Sequence, residues 1–302
     1  MDSIAAPLTD VQSWARRPAA ALATEGNALT VDVEDYFQVE AFAGHIDPAA
    51  WDRHECRIER NLDRILGLFD AAGAKATFFT LGWIGERYPA LVRRIVDAGH
   101  ELASHGYGHQ RVDRDGQARF SADITRSKAL LEDLSGCEVK GYRAPCFSIS
   151  RHNLWALEAL KTAGYRYSSS INPIRHDTYG LPEAPRHAFH PFADESFVEI
   201  PVSSVRLFGA NWPCGGGGYF RLMPLTWSLA GLSRIRKQEG KPCVFYFHPW
   251  EIDPNQPRIP AVPLKSAFRH YVNLSRMEGK VARLLQHFSW NRIDRVFSVG
   301  GV

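Results

Sequence analysis

Cysteine is scarce in this 302-residue sequence, and nothing in its placement pairs it up. The five thiols (Cys56, Cys137, Cys146, Cys214 and Cys243) are odd in number and include no C-x-x-C step. That argues against a disulfide framework and against a cysteine zinc knuckle. Reduced thiols of this kind fit a cytosolic protein. Long apolar runs are also missing: none approaches the roughly eighteen residues a membrane span needs. Charge of one sign is missing too. The 36 basic and 33 acidic residues leave a formal net charge of +3 with no basic run, so no nucleic-acid partner is expected. Residues 1–26 are alanine-rich and polar. Arg16 and Arg17 are followed by no apolar stretch, so the segment reads as a mobile lead-in rather than a secretory signal, and the expected location is cytoplasmic. No internal repeat of fixed period occurs.

Apolar residues make up 45% of the chain and charged ones 23%, enough for a large core without staples. Residues 28–33 read as a short buried strand that runs into acids. Apolar residues at Leu62, Ile65, Leu66, Leu68 and Phe69 have helical spacing, and Gly73 stops that helix. A strand over 76–81, a helix over 89–98 with Pro89 at its start, a strand over 100–104 and a helix over 121–135 follow. Then come a strand over 139–143, a helix over 153–163 and a strand over 165–168. Such alternation predicts an α/β fold with a parallel sheet. The later half is less regular. Strands are expected over 201–208 and 243–248, a glycine-rich loop over 213–218 and a helical tail over 267–288. The domain division is a lead-in over 1–26, a catalytic domain over 27–255 and a helical extension over 256–302 packed on it.

Parallel α/β folds gather their chemistry where strands end. Here the strand ends deliver Asp32, Glu34 and Asp35, then His105 and His109, then Arg143, then His248. Asp32 and Glu34 share one strand face by the two-residue period. One acid of this group can ligate a metal while another stays free as a base. Two histidines and a carboxylate form a common catalytic zinc set with positions open for water. Gly106 and Gly108 weaken a helix at the histidine pair but permit a tight loop. Arg143 in such a rim can hold a carboxylate ionised and oriented. His248, once protonated, can donate to a leaving amine. The plainer readings are surface loop histidines, a solvated acidic loop, a surface ion pair for Arg143 and a structural His248. The convergence of four strand ends on one rim weighs against them.

These residues resemble the NodB-homology polysaccharide deacetylases, the family-four carbohydrate esterases, over about residues 28–250. Gly99-His100-Glu101-Leu102-Ala103-Ser104-His105-Gly106-Tyr107-Gly108-His109 is similar to the family's G-H-E-x-x-x-H-x-x-x-H metal motif. Gly141-Tyr142-Arg143-Ala144-Pro145 is similar to its R-x-P motif, and Phe245-Tyr246-Phe247-His248 to its final histidine motif. Asp32-Val33-Glu34-Asp35 departs from the adjacent aspartates of many relatives. The wider spelling, through Tyr36-Phe37 and Pro249-Trp250-Glu251, looks most like deacetylases of exosortase and PEP-CTERM exopolysaccharide loci. The resemblance implies a distorted (β/α) barrel of about seven strands. It also implies Asp32 as base, His105 and His109 as metal ligands, and either Glu34 or Asp35 as the third ligand.

The expected reaction is metal-dependent hydrolysis of N-acetyl groups on a polysaccharide, with Zn2+ the default and Co2+, Ni2+ or Mn2+ able to serve. Asp32, His248 and Arg143 are the catalytic set. Pro145, Cys146, Trp212, Trp250 and Tyr36 are the expected substrate contacts, with the N–H of Cys146 offered to the developing oxyanion and aromatic faces to sugar rings. The glycine-rich loop is no phosphate cradle, because no Gly-Lys-Ser/Thr follows it. The competing readings are hydrolysis of another small amide, such as a formyl group or ureide, and glycan binding without catalysis.

Overall fold

The computed structural model describes residues 11–21 and 25–299. Its centre is a parallel sheet. The strands are β1 (Asn27–Val33), β2 (Thr77–Thr80), β3 (Glu101–Ser104), β4 (Gly141–Tyr142), β5 (Tyr167–Ser168) and β6 (Val198–Glu199), followed by β7 (Ser204–Leu207), β8 (Ala210–Pro213), β9 (Val244–Phe247) and β10 (Trp290–Asn291). The sheet runs β9-β1-β2-β3-β4-β5-β6, every pair parallel, and the start of β1 also pairs with β10. The distorted (β/α) barrel of about seven strands expected from the resemblance is present as a half-barrel of seven parallel strands, with β10 added beside β1. Past β6 the chain bends back to β9. Ser203 N–H donates to Val244 O at 3.1 Å, and Tyr246 N–H donates to Gly215 O at 2.8 Å. These bonds draw the two edges of the curled sheet together. Gly216, at φ 122, lies so close to β9 that a Cβ there would stand 1.9 Å from Tyr246 O.

Strand alternation sorts the side chains. Leu29, Val31 and Val33 join the large core under the outer helices, while Ala28 joins the inner cluster with Phe79, Ala103, Tyr167 and Tyr246. Thr30 and Asp32 are on that same inner face by the period of two. All seven residues of β1 are buried, as expected of a parallel strand covered on both sides. The helix Ile58–Ala71 buries Ile58, Leu62, Ile65 and Phe69, one stripe at helical spacing. The helix Gln117–Ser135 ends at Gly136, whose φ of 68 is the left-handed cap glycine supplies at low cost.

Several expectations change in detail. Part of the 1–26 lead-in lies outside the described residues. Of the rest, Trp14 is fully buried and stacks on Phe189 with ring centroids 5.0 Å apart, so that stretch is docked rather than free. The strand over 201–208 is β7, half of an antiparallel hairpin with β8 and outside the main sheet. The glycine loop opens directly into a short helix, Gly217–Leu222. The helical tail is two helices, Leu264–Tyr271 and Leu274–His287, broken where Asn273 takes φ 56. The second buries Met277, Val281 and Leu284 in the main core, and β10 then enters the sheet. The segment past 255 is thus built into the fold it packs on. No helix among the described residues is long and apolar enough to cross a membrane.

Candidate active site

β1 carries Asp32 inward, and Arg143 grips it there. Nη1 of Arg143 lies 2.6 Å from Oδ1 of Asp32, and both side chains are buried. The same guanidinium donates to Thr30 Oγ1 at 2.7 Å, to Ser169 O at 3.1 Å and to Ser169 Oγ at 2.8 Å. Its plane sits over Phe79, 4.2 Å from the ring centroid. A buried arginine satisfied on several sides is a fixed positive charge, so Asp32 is held against its counter-charge with Oδ1 occupied and Oδ2 turned toward His248.

Glu34, His105 and His109 bring one ligand atom each to within 4.8 Å of one another, the one such cluster of three or more among the described residues. Each arrives by a different local device. Glu34 turns in on the step after β1, its N–H bonded to Asp32 O at 3.0 Å. His105 donates Nδ1–H to Arg143 O at 2.8 Å, which leaves Nε2 as the free ring nitrogen. Burial pushes its pKa down to about 4 against the pull of Asp32, so the ring is neutral, the form that ligates. His109 swings inward through a left-handed backbone, φ 55, after Gly106 at φ 75. A side chain at Gly106 would crowd Asp123, whose Oδ2 accepts Tyr107 N–H at 3.0 Å.

The donor set fits a divalent cation on physical grounds. Oε2 of Glu34 is 2.6 Å from Nε2 of His109, yet no properly directed hydrogen bond reaches this buried oxygen. A buried carboxylate oxygen without a donor is costly, and a shared cation satisfies it. Burial alone would raise the Glu34 pKa, but His109 and His248 hold it far below the usual range.

His248 closes the opposite wall. Its Nε2 lies 3.9 Å from Asp32 Oδ2 and 3.7 Å from Glu34 Oε1. Nδ1 pairs with Glu251 Oε2 at 3.1 Å, and the His248 backbone N–H donates to the same oxygen at 2.9 Å. Glu251 is in turn bound by Arg221, Nε to Oε1 at 2.6 Å. Burial works against a charged imidazole, but Glu34, Glu251 and Asp32 outweigh it and raise His248 to about 9. Burial works against ionised Glu251 as well, and Arg221 and His248 bring it down to about 2. Trp250 lies between two imidazoles, 5.2 Å from His248 and 4.2 Å from His270 between centroids, and its Nε1–H donates to Glu34 Oε1 at 3.0 Å.

Asp32, Glu34, His105, His109, His248 and Trp250 line one cavity of about 380 Å³, with Cys146, Phe147, Tyr179, Tyr246 and Arg269 among its other walls. The structure brings together Asp32, Glu34, His105, His109, His248, Cys146 and Trp250, with Arg143 beneath. It does not bring Asp35. That carboxylate accepts the N–H groups of Tyr36 and Arg57 and the thiol of Cys56, which ties it to the 56–57 segment. Burial raises it to about 6 against those donors. Tyr36 is buried against Phe37, and Trp212 is half-exposed on β8, edge-on to Trp227; neither lines the reactive cavity. Pro145 is buried beneath the wall and opens the turn on which Cys146 and Phe147 take positive φ. Trp250 is 5% exposed, so its ring orients the site rather than offering a free stacking face. Sequence reasoning missed Thr30, Ser169, Arg221 and Glu251. Only Glu251 left a signal, three residues past His248 at capping-box spacing, and the structure forms that box.

Residues 50–168 match the polysaccharide deacetylase family model, and residues 169–298 match a domain of unknown function (DUF3473). A peptidoglycan-N-acetylglucosamine deacetylase of Bacillus cereus is 32% identical over 96 residues, 32% of this chain and 35% of that protein. A peptidoglycan deacetylase of Helicobacter pylori is 32% identical over 113 residues, 37% of this chain and 38% of that protein. The chain therefore spans little more than a third of the length of these curated relatives. A candidate polysaccharide deacetylase of Mycobacterium smegmatis has the same fold, with a TM-score of 0.58 at 21% identity, covering 94% of this chain and 90% of that one.

Proposed function

The family match and these relatives support a place for the chain in the polysaccharide deacetylase family, and we propose that it is a metal-dependent N-deacetylase of an N-acetylhexosamine polysaccharide. The observation that carries this reading is the pairing of Asp32 with Arg143 beside the Glu34, His105 and His109 cluster, in one cavity with His248 across from them. A divalent cation held by those three side chains, most simply Zn2+, would supply Lewis acidity toward the acetamide carbonyl and its attacking water.

The chain's own groups supply the rest. Asp32 takes a proton from the attacking water at Oδ2, the oxygen Arg143 leaves free. Arg143 holds Asp32 in place and supplies its counter-charge. Cys146 is part of the cavity wall, and its backbone N–H is the group assigned to the negative oxygen that develops on the carbonyl. His248 delivers a proton from Nε2 to the departing sugar amine, while Glu251 fixes the other ring nitrogen. The products are acetate and a free amino sugar. The motif spelling from Asp32 to Phe37 and from Phe247 to Glu251 supports a place in exopolysaccharide biosynthesis. Mass spectrometry of chitooligosaccharides after incubation tests the reaction type: loss of acetyl, abolished in Asp32→Asn, is expected, and an unchanged acetyl count would sink it.

A further inference from the structure

A second cavity, of about 280 Å³, opens beside the reactive one. Tyr179 and Arg269 line both, so the two adjoin. Its other walls include His176, Tyr219, Leu222 and Phe268. His176 stacks on Tyr179, centroids 3.9 Å apart at 19°, and Tyr219 stands edge-on to His176 at 6.3 Å. Phe268 is 59% exposed and Leu222 49%, so this wall turns apolar surface to solvent. Polar groups frame the same wall. Asp177 accepts from Arg269 at 3.0 Å and from Lys265 at 3.3 Å, and His176 Nδ1 lies 3.0 Å from Asp177 Oδ1.

We propose that this second cavity is a sugar subsite, taking the pyranose ring next to the one whose acetamide enters the reactive cavity. The inference rests on the glycan-deacetylase reading above and adds where the polymer lies. A pyranose offers an apolar face of C–H groups and an equatorial rim of hydroxyls. The aromatic rings of this wall and the ion-paired charged groups beside them match both features. The shared walls at Tyr179 and Arg269 put a ring in the second cavity next to one in the reactive cavity. Every residue named in this wall falls within 169–298, so the inference gives a role to the segment matched as a domain of unknown function. Chain length becomes the specificity it sets: an oligomer that fills both cavities gains over a single sugar that fills one.

The test uses the full chain as wild type, Tyr219→Ala, Phe268→Ala and their double variant. A Phe208→Ala control sits on the exposed β7–β8 turn, away from both cavities. Calorimetric affinity for chitin oligomers from monosaccharide to hexasaccharide is measured in an Asp32→Asn background, and kcat/KM for acetate release in the active one. Expected is tighter binding of the longer oligomers, with that advantage reduced by about tenfold in the double variant and kept in the control, in line with loss of aromatic anchors that the bound sugar would cover. Equal length dependence in wild type and double variant overturns the subsite even where acetate is released. Acetate release without any length dependence overturns it as well. Length-dependent binding that the double variant loses, without acetate from any oligomer, upholds the subsite and counts against the reaction instead. Binding to phosphatidylcholine vesicles that depends on Phe268, with glycan affinity unchanged, assigns the apolar wall to a lipid surface and overturns the proposal.

Discussion

Arg143 Nη1 sits 2.6 Å from Asp32 Oδ1, and the same guanidinium reaches Thr30 and Ser169, so the inner end of β1 is tied to residues that follow β4 and β5. Removing the arginine leaves a carboxylate buried without its counter-charge. Arg143→Met is expected to cost about 3–5 kcal/mol of stability. Arg143→Lys keeps the charge but loses the planar fork, so it should fold and turn over at least about tenfold more slowly. Urea midpoints and acetate release check the two variants; a fully active Lys variant would count against Arg143 as the group that orients Asp32.

The choice between two carboxylates is measurable directly. Glu34→Gln, His105→Ala and His109→Ala should each lose stoichiometric zinc, read by elemental analysis after dialysis. Asp35→Asn should retain it, because Asp35 is spent on the backbone of Tyr36 and Arg57. Zinc lost from Asp35→Asn and kept by Glu34→Gln would reverse the assignment.

Trp250 acts on Glu34 through one hydrogen bond, so that bond can be removed while most of the packing stays. Trp250→Phe should lower zinc affinity by about 10–100-fold, as loss of an outer partner to a ligand does. Competition with a chromogenic chelator reads it. An unchanged affinity would make the indole purely a packing element.

Two buried acids give opposite pH signatures. Glu251 is lowered to about 2, so its contribution is full above the unfolded value of 4.5 and is lost as pH falls from 4.5 toward 2. Glu199 is raised by burial to about 7, and its Oε2 has no partner, while Oε1 accepts the N–H groups of Ser170 and Ile171. Its ionisation therefore erodes stability as pH rises from 4.5 through 7. Glu199→Gln keeps an oxygen for the two N–H donors. It should be more stable than wild type at pH 8, by roughly 3 kcal/mol at most, with the difference gone near pH 4. Thermal melts across that range decide it; a variant less stable at every pH would show that the carboxylate itself is needed.

Much of this architecture was legible because β1, β2, β3 and β9 are buried runs long enough to register as strands, and the reactive residues follow them directly. β6 and β10 have two residues each and no pattern of their own; pairing defines them. The hairpin β7–β8 carries ordinary strand composition, and only the tertiary fold decides that it stays out of the sheet. Among site residues, the period of two correctly put Asp32 and Glu34 on one side. It could not say that the next residue, Asp35, would be taken by the backbone at 56–57, a contact across 22 positions. Arg221 reaches Glu251 across 30 positions and leaves no trace in either local sequence. Aromatic type could not locate Tyr36 or Trp212: the first is buried in the core and the second is half-exposed on β8, and neither lines the reactive cavity.

Acetate release from chitooligosaccharides, measured on the purified protein after chelation and again after zinc is restored, bears most directly on the central claim. Release that chelation abolishes and zinc restores is the predicted result. No acetate from protein shown to hold its zinc, or release indifferent to chelation, would contradict it.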